Sequence, residues 1–281
     1  MESDRETSSR ASESAETEAS EASRIELPPI GVPNPNESCW LITLMQFILN
    51  TPSLEEAILN APEVPGDFEP FREFVRLYRE DQRAGTRLFT RVPIQRIREV
   101  LHRLNPTYIP LQGAGDFQFA LYVVSLYLPQ TCPFFCYGGR NRDQLNPRWR
   151  ELIYFRNFQR LGFDGAILDN FNDHPEHPNR LLESPNELMI SVLRHEGAQI
   201  SVEPIPIHGE FHLPSSVTYD GSSSRYECDF FARWRNAHYL CYEKRNGIWY
   251  ESDDDRVVQL NRAQAEDAMQ RSLFFHYKKI D

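Results

Sequence analysis

The chain has 281 residues, 40% of them hydrophobic, and a formal net charge of −11. It is long enough to bury one large core or two small ones, and no apolar run approaches the roughly 18 residues that a membrane-spanning helix needs. The negative charge disfavours general binding of nucleic acids, which relies on basic side chains. A partner that carries arginines or other basic groups fits this charge better.

The first 24 residues are mostly Ser, Glu, Ala and Thr and hold no large apolar side chain beyond Met1, so a disordered tail is predicted over 1–24. The folded domain is expected over 25–281, and it opens with an extended, Pro-rich stretch. Apolar residues then recur at helical spacing as far as about residue 130. The predicted helical stretches are Ser38 to Ile48, Ser53 to Ile58, Asp67 to Arg79, Pro93 to Leu101 and Asp116 to Leu128.

The pattern changes after Pro133 to short alternating or β-branched runs, separated by Asn, Pro and Gly. Strands are predicted at 188–193, 200–202, 225–231, 238–243 and 273–277, with a short helix that Asn261 caps and that runs to Ala268. A mainly helical part at 25–130 followed by a mainly β part at 131–281 is an α+β arrangement. A functional site is expected where the two parts meet.

Cys39 begins the first helical stretch. The free N–H groups and the dipole at a helix N-terminus stabilise a thiolate, so this position predicts a lowered pKa for Cys39. The common alternative is a buried and unreactive thiol. A nucleophilic thiol also needs a base, and that base needs an orienting partner.

A predicted hairpin about 200 residues later offers an imidazole and carboxylates. The Asn-Gly pair at 246–247 predicts a two-residue turn, and pairing outward from it places His238 opposite Asp255. Because strand side chains alternate, Asp253 and Asp255 share the face of His238 and Asp254 points away. Either of the two carboxylates can then orient the imidazole. The alternative is a solvated acidic strand end beside a surface histidine.

These two segments resemble the cysteine and histidine boxes of the ubiquitin-specific proteases. The first has GVPN at 31–34 and, four residues later, CWLITLMQ at 39–46. The second has His-Tyr at 238–239 and Trp-Tyr at 249–250 before the acidic run. Segments at 115–118 and 272–279 are similar to two further parts of the family pattern, the first more weakly.

The resemblance implies a papain-like cysteine protease of the α+β class, with a helical thumb, a β-rich palm and reduced fingers. It implies that Cys39 is the nucleophile, that His238 is the general base and that Asp253 orients it. Asn34 matches the family's side-chain donor to the oxyanion, and the backbone N–H of Cys39 would be the second donor.

The resemblance also implies a channel for the modifier's C-terminal tail. Asp116 and Gln118 match positions that hold this basic tail, and Tyr239 matches a position beside the channel. An acidic side chain there would attract arginines that precede the terminal di-glycine.

The chain departs from the family pattern at several positions. Asn36-Glu37-Ser38 stands in place of Gly-Asn-Thr, Trp40 in place of Tyr, Ile42 in place of Asn, Ser252 in place of Phe, and Phe119 in place of Glu. The two Cys-x-x-Cys pairs that often bind zinc are also missing. Cys132 and Cys136 have three residues between them, and loop positions explain His174 and His177 more simply than a zinc site, so no cofactor or metal is expected.

We therefore predict a deubiquitinating cysteine isopeptidase that works as a monomer on ubiquitin or ubiquitinated proteins, without nucleic acid or membrane. One alternative is a protease for another modifier, such as SUMO or the interferon-induced ubiquitin-like protein, which the altered cysteine box suggests. Another is a catalytically silent scaffold that binds ubiquitin. The four residues predicted to carry the chemistry are all present, which disfavours the scaffold.

Five cysteines, an odd number, and the lack of a signal-peptide pattern predict a cytoplasmic or nuclear protein. Only Lys244, Lys278 and Lys279 are lysines, and the other 27 of the 30 basic residues are arginines. Arginine has no primary amine that could accept ubiquitin. This composition fits an effector delivered into a host cell and working among ubiquitin ligases, although codon bias would produce it as well.

Overall fold

The computed structural model describes residues 27–60, 68–86, 94–129, 131–139, 142–143, 145–171, 180–196, 199–201 and 203–281. The predicted tail over 1–24 lies outside these residues, as do Asp67, Pro93, His174, His177 and Val202. Within the described part of the chain, no helix has both the length and the apolar character needed to cross a membrane.

Helices dominate the first half, as predicted. Seven helices are described: α1 (Cys39–Asn50), α2 (Pro52–Asn60), α3 (Glu69–Ala84), α4 (Ile94–Leu104), α5 (Phe117–Ser125), α6 (Phe155–Phe171) and α7 (Arg262–Gln270). The predicted apolar face of α3 is buried through Phe68, Phe71, Phe74, Val75 and Tyr78. The predicted cap of α7 is present, because Asn261 and Gln264 form a reciprocal capping box.

Two helical predictions need correction. The stretch predicted to begin at Ser53 begins one residue earlier, at Pro52, so Ser53 lies inside α2, and its hydroxyl donates to Glu187 at 2.7 Å. Helix α6 was not predicted at all. Its two parts are joined at Gly162, where φ is 70°, and this break interrupts the helical spacing of its apolar residues.

Strands dominate the second half. Thirteen are described: β1 (Cys136–Gly139), β2 (Asn146–Arg148), β3 (Glu151–Tyr154), β4 (Arg180–Leu181), β5 (Glu187–Leu193), β6 (His195–Glu196), β7 (Gln199–Ile200), β8 (Glu210–Leu213), β9 (Ser224–Arg235), β10 (His238–Arg245), β11 (Ile248–Asp253), β12 (Arg256–Leu260) and β13 (Phe274–Lys279).

One large sheet organises this half. Its strand order is β12-β11-β10-β9-β13-β5-β3, and β8 also pairs with β9. The final strand, β13, lies inside the sheet, antiparallel to β9 on one side and to β5 on the other. A smaller sheet has the order β2-β1-β4. The predicted strand at 273–277 is therefore confirmed, and it joins the two parts of the large sheet.

Helix α1 joins the helical and β halves. All twelve of its residues are buried. Phe47 shows why, since its ring contacts Phe117 of α5 on one side and Phe230 and Phe274 of the sheet on the other, with ring centres 5.1 to 6.1 Å apart. Aromatic packing of this kind fixes the helix by hydrophobic burial and by edge-to-face contact. The first residue of α1 is consequently held at the seam between the two halves.

Candidate active site

Cys39 is the first residue of α1 and lies close to the start of β10. Its side chain is only 6% exposed. Burial raises the pKa of the Cys39 thiol, the nearby charge of Asp254 raises it further, and a hydrogen bond from the backbone of Tyr239 opposes both effects without reversing them. The predicted lowering of this pKa is therefore wrong, because desolvation outweighs the helix terminus. A base is needed to form the thiolate.

The predicted hairpin places His238 beside a carboxylate. Arg245 pairs with Ile248 across the turn at 246–247, as predicted. His238 begins β10 and Asp253 ends β11, and the His238 Nε2 lies 2.9 Å from Asp253 Oδ1. This hydrogen bond occupies Nε2 and leaves Nδ1 as the ring nitrogen that can take a proton from a thiol. Of the two carboxylates that strand alternation allowed, Asp253 is the one that bonds the imidazole.

Asp254 does not point away from the site, as strand alternation had predicted. Asp253 pairs with Arg256, so residues 254 and 255 form a tight turn in which Asp254 has a φ of 52°. Alternation ends where the turn begins. The Asp254 Oδ2 lies 3.7 Å from His238 Nε2 and accepts a hydrogen bond from the side chain of Asn34 at 2.8 Å. Burial raises the pKa of Asp254, and the neighbouring carboxylates of Asp253 and Asp255 add to this.

Asn34 lies between the loop before α1 and the acidic turn, which is formed by residues 253–255. Its Oδ1 accepts the backbone N–H of Ser38 at 2.6 Å, and its Nδ2 donates to Asp254. These two bonds fix which way the amide faces. The amide nitrogen carries two hydrogens, so one remains for a further acceptor. The two bonds define the orientation of the Asn34 amide, and its role as a donor to the oxyanion stays a prediction.

The segment before Asn34 holds the acidic turn against the helical half. The Val32 N–H donates to the carbonyl of Asp254 at 2.9 Å, and Gly31 packs directly on the backbone of Asp255. On the helical side, Gln46 and Tyr78 hydrogen-bond the backbone of Ile30.

The three residues predicted to hold a modifier's tail lie close together. Asp116 is the N-cap of α5, where its Oδ1 accepts the N–H groups of Gln118 and Phe119 and its Oδ2 accepts the hydroxyl of Tyr239 at 2.9 Å. Burial and the charge of Asp116 raise the pKa of Tyr239 well above its usual range. Asp116, Gln118 and Tyr239 line one cavity of about 120 Å³, together with Gly115 and Trp234.

Two hydrogen bonds hold Gln118 in that cavity. Its side-chain oxygen accepts from Arg150 at 2.8 Å and from Ser191 at 2.6 Å. Sequence reasoning missed Arg150 and Ser191, because neither lies in a recognisable motif. Both belong to the β half, so they fix α5 against the large sheet.

Three side chains at the site carry atoms that could ligate a metal ion. The ligand atoms of His238, Asp253 and Asp254 lie within 4.8 Å of one another. Two of them, His238 and Asp253, are joined by a hydrogen bond, and Asp254 is bonded by Asn34. Cys132 and Cys136 are both buried free thiols, and the two histidines that could have joined them in a zinc site lie outside the described residues.

The sequence matches no protein-family model, and no curated protein is significantly similar to it. Solved structures are similar in fold. The chain aligns with the SAGA DUB module Ubp8/Sgf11/Sus1/Sgf73 bound to monoubiquitin at 11% identity and a TM-score of 0.61, covering 90% of this chain and 69% of that chain. The same module bound to ubiquitin aldehyde gives 11% identity, a TM-score of 0.62, and 90% and 70% coverage.

A third structure, yeast SAGA DUBm with an Sgf73 mutant, gives 13% identity, a TM-score of 0.56, and coverage of 90% of this chain and 66% of that chain. The predicted α+β class, with helices followed by a β-rich part, is confirmed. At the level of the fold, this chain is similar to the structures of the Ubp8-containing DUB module.

Proposed function

We propose that this protein is a thiol-dependent deubiquitinase that cleaves after the C-terminal di-glycine of ubiquitin. The observation that carries the proposal is the 2.9 Å bond between His238 and Asp253 next to the buried N-terminus of α1, where Cys39 lies. The shared fold supports it, since two of the similar structures are bound to monoubiquitin and to ubiquitin aldehyde.

The reaction follows from this geometry. His238 Nδ1 takes the proton of Cys39, and the thiolate attacks the carbonyl carbon of the modifier's terminal glycine. The oxyanion that forms accepts hydrogen bonds from the Cys39 N–H and from the Asn34 amide. Protonated His238 then gives its proton to the leaving amine, which leaves a thioester. Water attacks that thioester with His238 again as the base, and the modifier is released.

Asp253 keeps the imidazole in the orientation that this sequence of steps requires. Because Nε2 donates its hydrogen bond to this carboxylate, Nδ1 is left to accept the proton of the thiol, and the carboxylate stabilises the imidazolium that forms. The site needs this support because the Cys39 pKa is raised by burial. The thiolate therefore forms through proton transfer within the site.

The channel residues hold the modifier's tail. Asp116, Gln118 and Tyr239 line one cavity, Tyr239 directly follows His238 in β10, and the Asp116 carboxylate brings a negative charge to the cavity. Because this carboxylate already accepts three hydrogen bonds, it is fixed in place and meets a basic tail without losing further side-chain freedom.

An electrophilic ubiquitin probe tests this proposal. The parent protein is expected to form a covalent adduct, Cys39→Ala is expected to form none, and Cys132→Ala is expected to react like the parent. Cys132 is the matched control because it is also 6% exposed. An adduct that survives in Cys39→Ala contradicts the assignment. Binding of ubiquitin by the parent without any adduct supports the silent scaffold.

A second question is which modifier the protein cleaves. One exposed surface is relevant to the answer. Phe119, where the family has Glu, is 44% exposed and stacks on Tyr108 with ring centres 4.9 Å apart. An exposed aromatic pair beside Gln118 fits an apolar patch on a modifier better than a basic one. Probes based on ubiquitin, SUMO and the interferon-induced ubiquitin-like protein, compared under one condition, identify the modifier that reacts fastest.

We also propose a cytoplasmic or nuclear location and a role as an effector with only three lysines that could accept ubiquitin. Adding surface lysines and measuring turnover in cells tests the second point. An unchanged half-life would leave codon bias as the explanation.

A further inference from the structure

The loop before α1 has an unfavourable backbone. Asn36 and Glu37 both have a φ of 56°, in the left-handed region that side chains disfavour. Two such residues in succession, neither of them glycine, need support from their surroundings. The loop ends at Ser38, immediately before Cys39, so its conformation fixes where the thiol lies.

The support comes from Arg98 of α4. Its Nη2 lies 3.1 Å from the carbonyl of Asn36, 3.2 Å from the carbonyl of Glu37 and 2.9 Å from the hydroxyl of Ser38. The Arg98 side chain is fully buried. One nitrogen of the rigid, planar guanidinium therefore contacts all three of these oxygens in the turn.

Arg98 also contacts the residue after Cys39. The centre of its guanidinium lies 5.3 Å from the centroid of the Trp40 ring, within the range of a cation–π interaction. Asn36, Glu37, Ser38 and Trp40 are positions at which the cysteine box departs from the family pattern. Arg98 touches all four of them. These four departures therefore share a common partner, whereas the departure at Ile42 is not among its contacts.

The charge of Arg98 acts on the thiol as well. Burial lowers the pKa of Arg98, while the negative charges of Glu37 and of the Cys39 thiolate oppose that shift. The attraction is mutual, so a positive charge at Arg98 favours the thiolate. Among the described residues, Asp254 in the acidic turn and Tyr239 in β10 are further ionisable groups that interact with Cys39, and His238 precedes Tyr239 in the same strand.

We propose that Arg98 is a positioning residue of this site, which holds the left-handed turn at Asn36 and Glu37 and stabilises the thiolate form of Cys39. The inference rests on the proposed function only in taking Cys39 as the nucleophile. It does not depend on which modifier is cleaved.

The test measures the reactivity of Cys39 towards iodoacetamide in the folded protein, by peptide mass spectrometry, as a function of pH. No modifier is needed, so the outcome is independent of whether ubiquitin is the substrate. Arg98→Met removes the charge and keeps an apolar chain on Trp40. Arg96→Met is the control, because Arg96 lies on the same helix and is exposed, with its ion pair to Glu73 on the surface.

For Arg98→Met, the midpoint of the pH profile is expected to rise, because a positive charge near the thiolate is lost, and alkylation at neutral pH is expected to fall. Arg96→Met should match the parent. A folded Arg98→Met protein whose midpoint also matches the parent overturns the role of the charge.

Arg98→Lys keeps the charge but loses the planar fork, so it tests the positioning role even if Arg98→Met does not fold. Its midpoint should stay near that of the parent, while its maximal alkylation rate falls severalfold. Adding Asn36→Gly and Glu37→Gly, which relieve the backbone, should recover most of that rate. A lysine variant with the parent's maximal rate, or no recovery on adding the glycines, overturns the positioning role.

Discussion

Gly31 offers a sharp test of how the site is held. A Cβ built on Gly31 would lie 2.1 Å from the carbonyl oxygen of Asp255 and 2.3 Å from its carbonyl carbon. Ordinary contact begins at 3.4 Å, so Gly31→Ala requires a displacement of about 1.3 Å. Both atoms belong to the backbone, and no side-chain rotation can relieve the clash. The segment over 31–34 must separate from the acidic turn.

The magnitude follows from what that separation breaks. Overpacking costs about 1–3 kcal/mol, and the bonds of Val32 and Asn34 to Asp254 contribute about 1 kcal/mol each. Allowing for partial relaxation, a loss of about 3 kcal/mol is expected, which lowers the Tm by about 6–12 °C. A displacement of about 1 Å near the chemistry costs on the order of a hundredfold in rate, so kcat/KM should fall more than stability alone explains.

Thermal unfolding by circular dichroism and hydrolysis of a fluorogenic C-terminal ubiquitin conjugate measure the two effects. Gly209→Ala is the matched control, because the nearest atom to its added Cβ is Met269 Cε at 4.0 Å. That variant should keep the parent's Tm and rate. If Gly31→Ala behaved like Gly209→Ala in both assays, the proposed contact between the segment and the turn would be wrong.

Contacts elsewhere in the molecule lead to three more predictions. Asp253→Ala should lower kcat/KM far more than Asp254→Ala, since only the former bonds the imidazole at 2.9 Å; the reverse ranking in the fluorogenic assay would contradict the site. Arg79→Ala should cost about 3–5 kcal/mol in urea unfolding because its carboxylate partner stays buried without a counter-charge, whereas Arg76→Ala, which removes an exposed ion pair, should leave the unfolding midpoint nearly unchanged. Fully buried His276 has its pKa raised to about 9 by nearby carboxylates, against the effect of burial, so its contribution to stability is complete below about pH 6.5 and is lost as the pH rises through about 9; Tm measured across that range should fall less in His276→Gln.

The elements that the sequence predicted correctly depend on local signals. The turn at 246–247 and the cap at Asn261 are short motifs, and the apolar face of α3 repeats at regular spacing. Each of these signals determines the structure of the few residues around it. For the same reason, the strand pattern of the hairpin was sufficient to identify Asp253 as one of two candidate partners of His238.

The features that the sequence did not predict depend on tertiary contacts. The pKa of Cys39 is raised because other elements cover it, which no position within a helix reveals. Asp254 faces the site because Asp253 pairs with Arg256, which makes residues 254 and 255 a turn. The alternation of strand side chains therefore does not extend to Asp254. Arg98 is one of several arginines in an amphipathic helix, and only the packing of α4 against the loop before α1 distinguishes it.

The position of β13 has a consequence for synthesis of the protein. The strand lies between β9 and β5, and residues 274–279 are needed to join them. Asn34 and Asp254, whose side chains bond across the site, are 220 residues apart. A chain still growing on the ribosome therefore exposes Cys39 long before its base and carboxylates have been made. Under the proposed function, the protein cannot act on ubiquitin until its acidic turn and β13 have been made and have joined the fold.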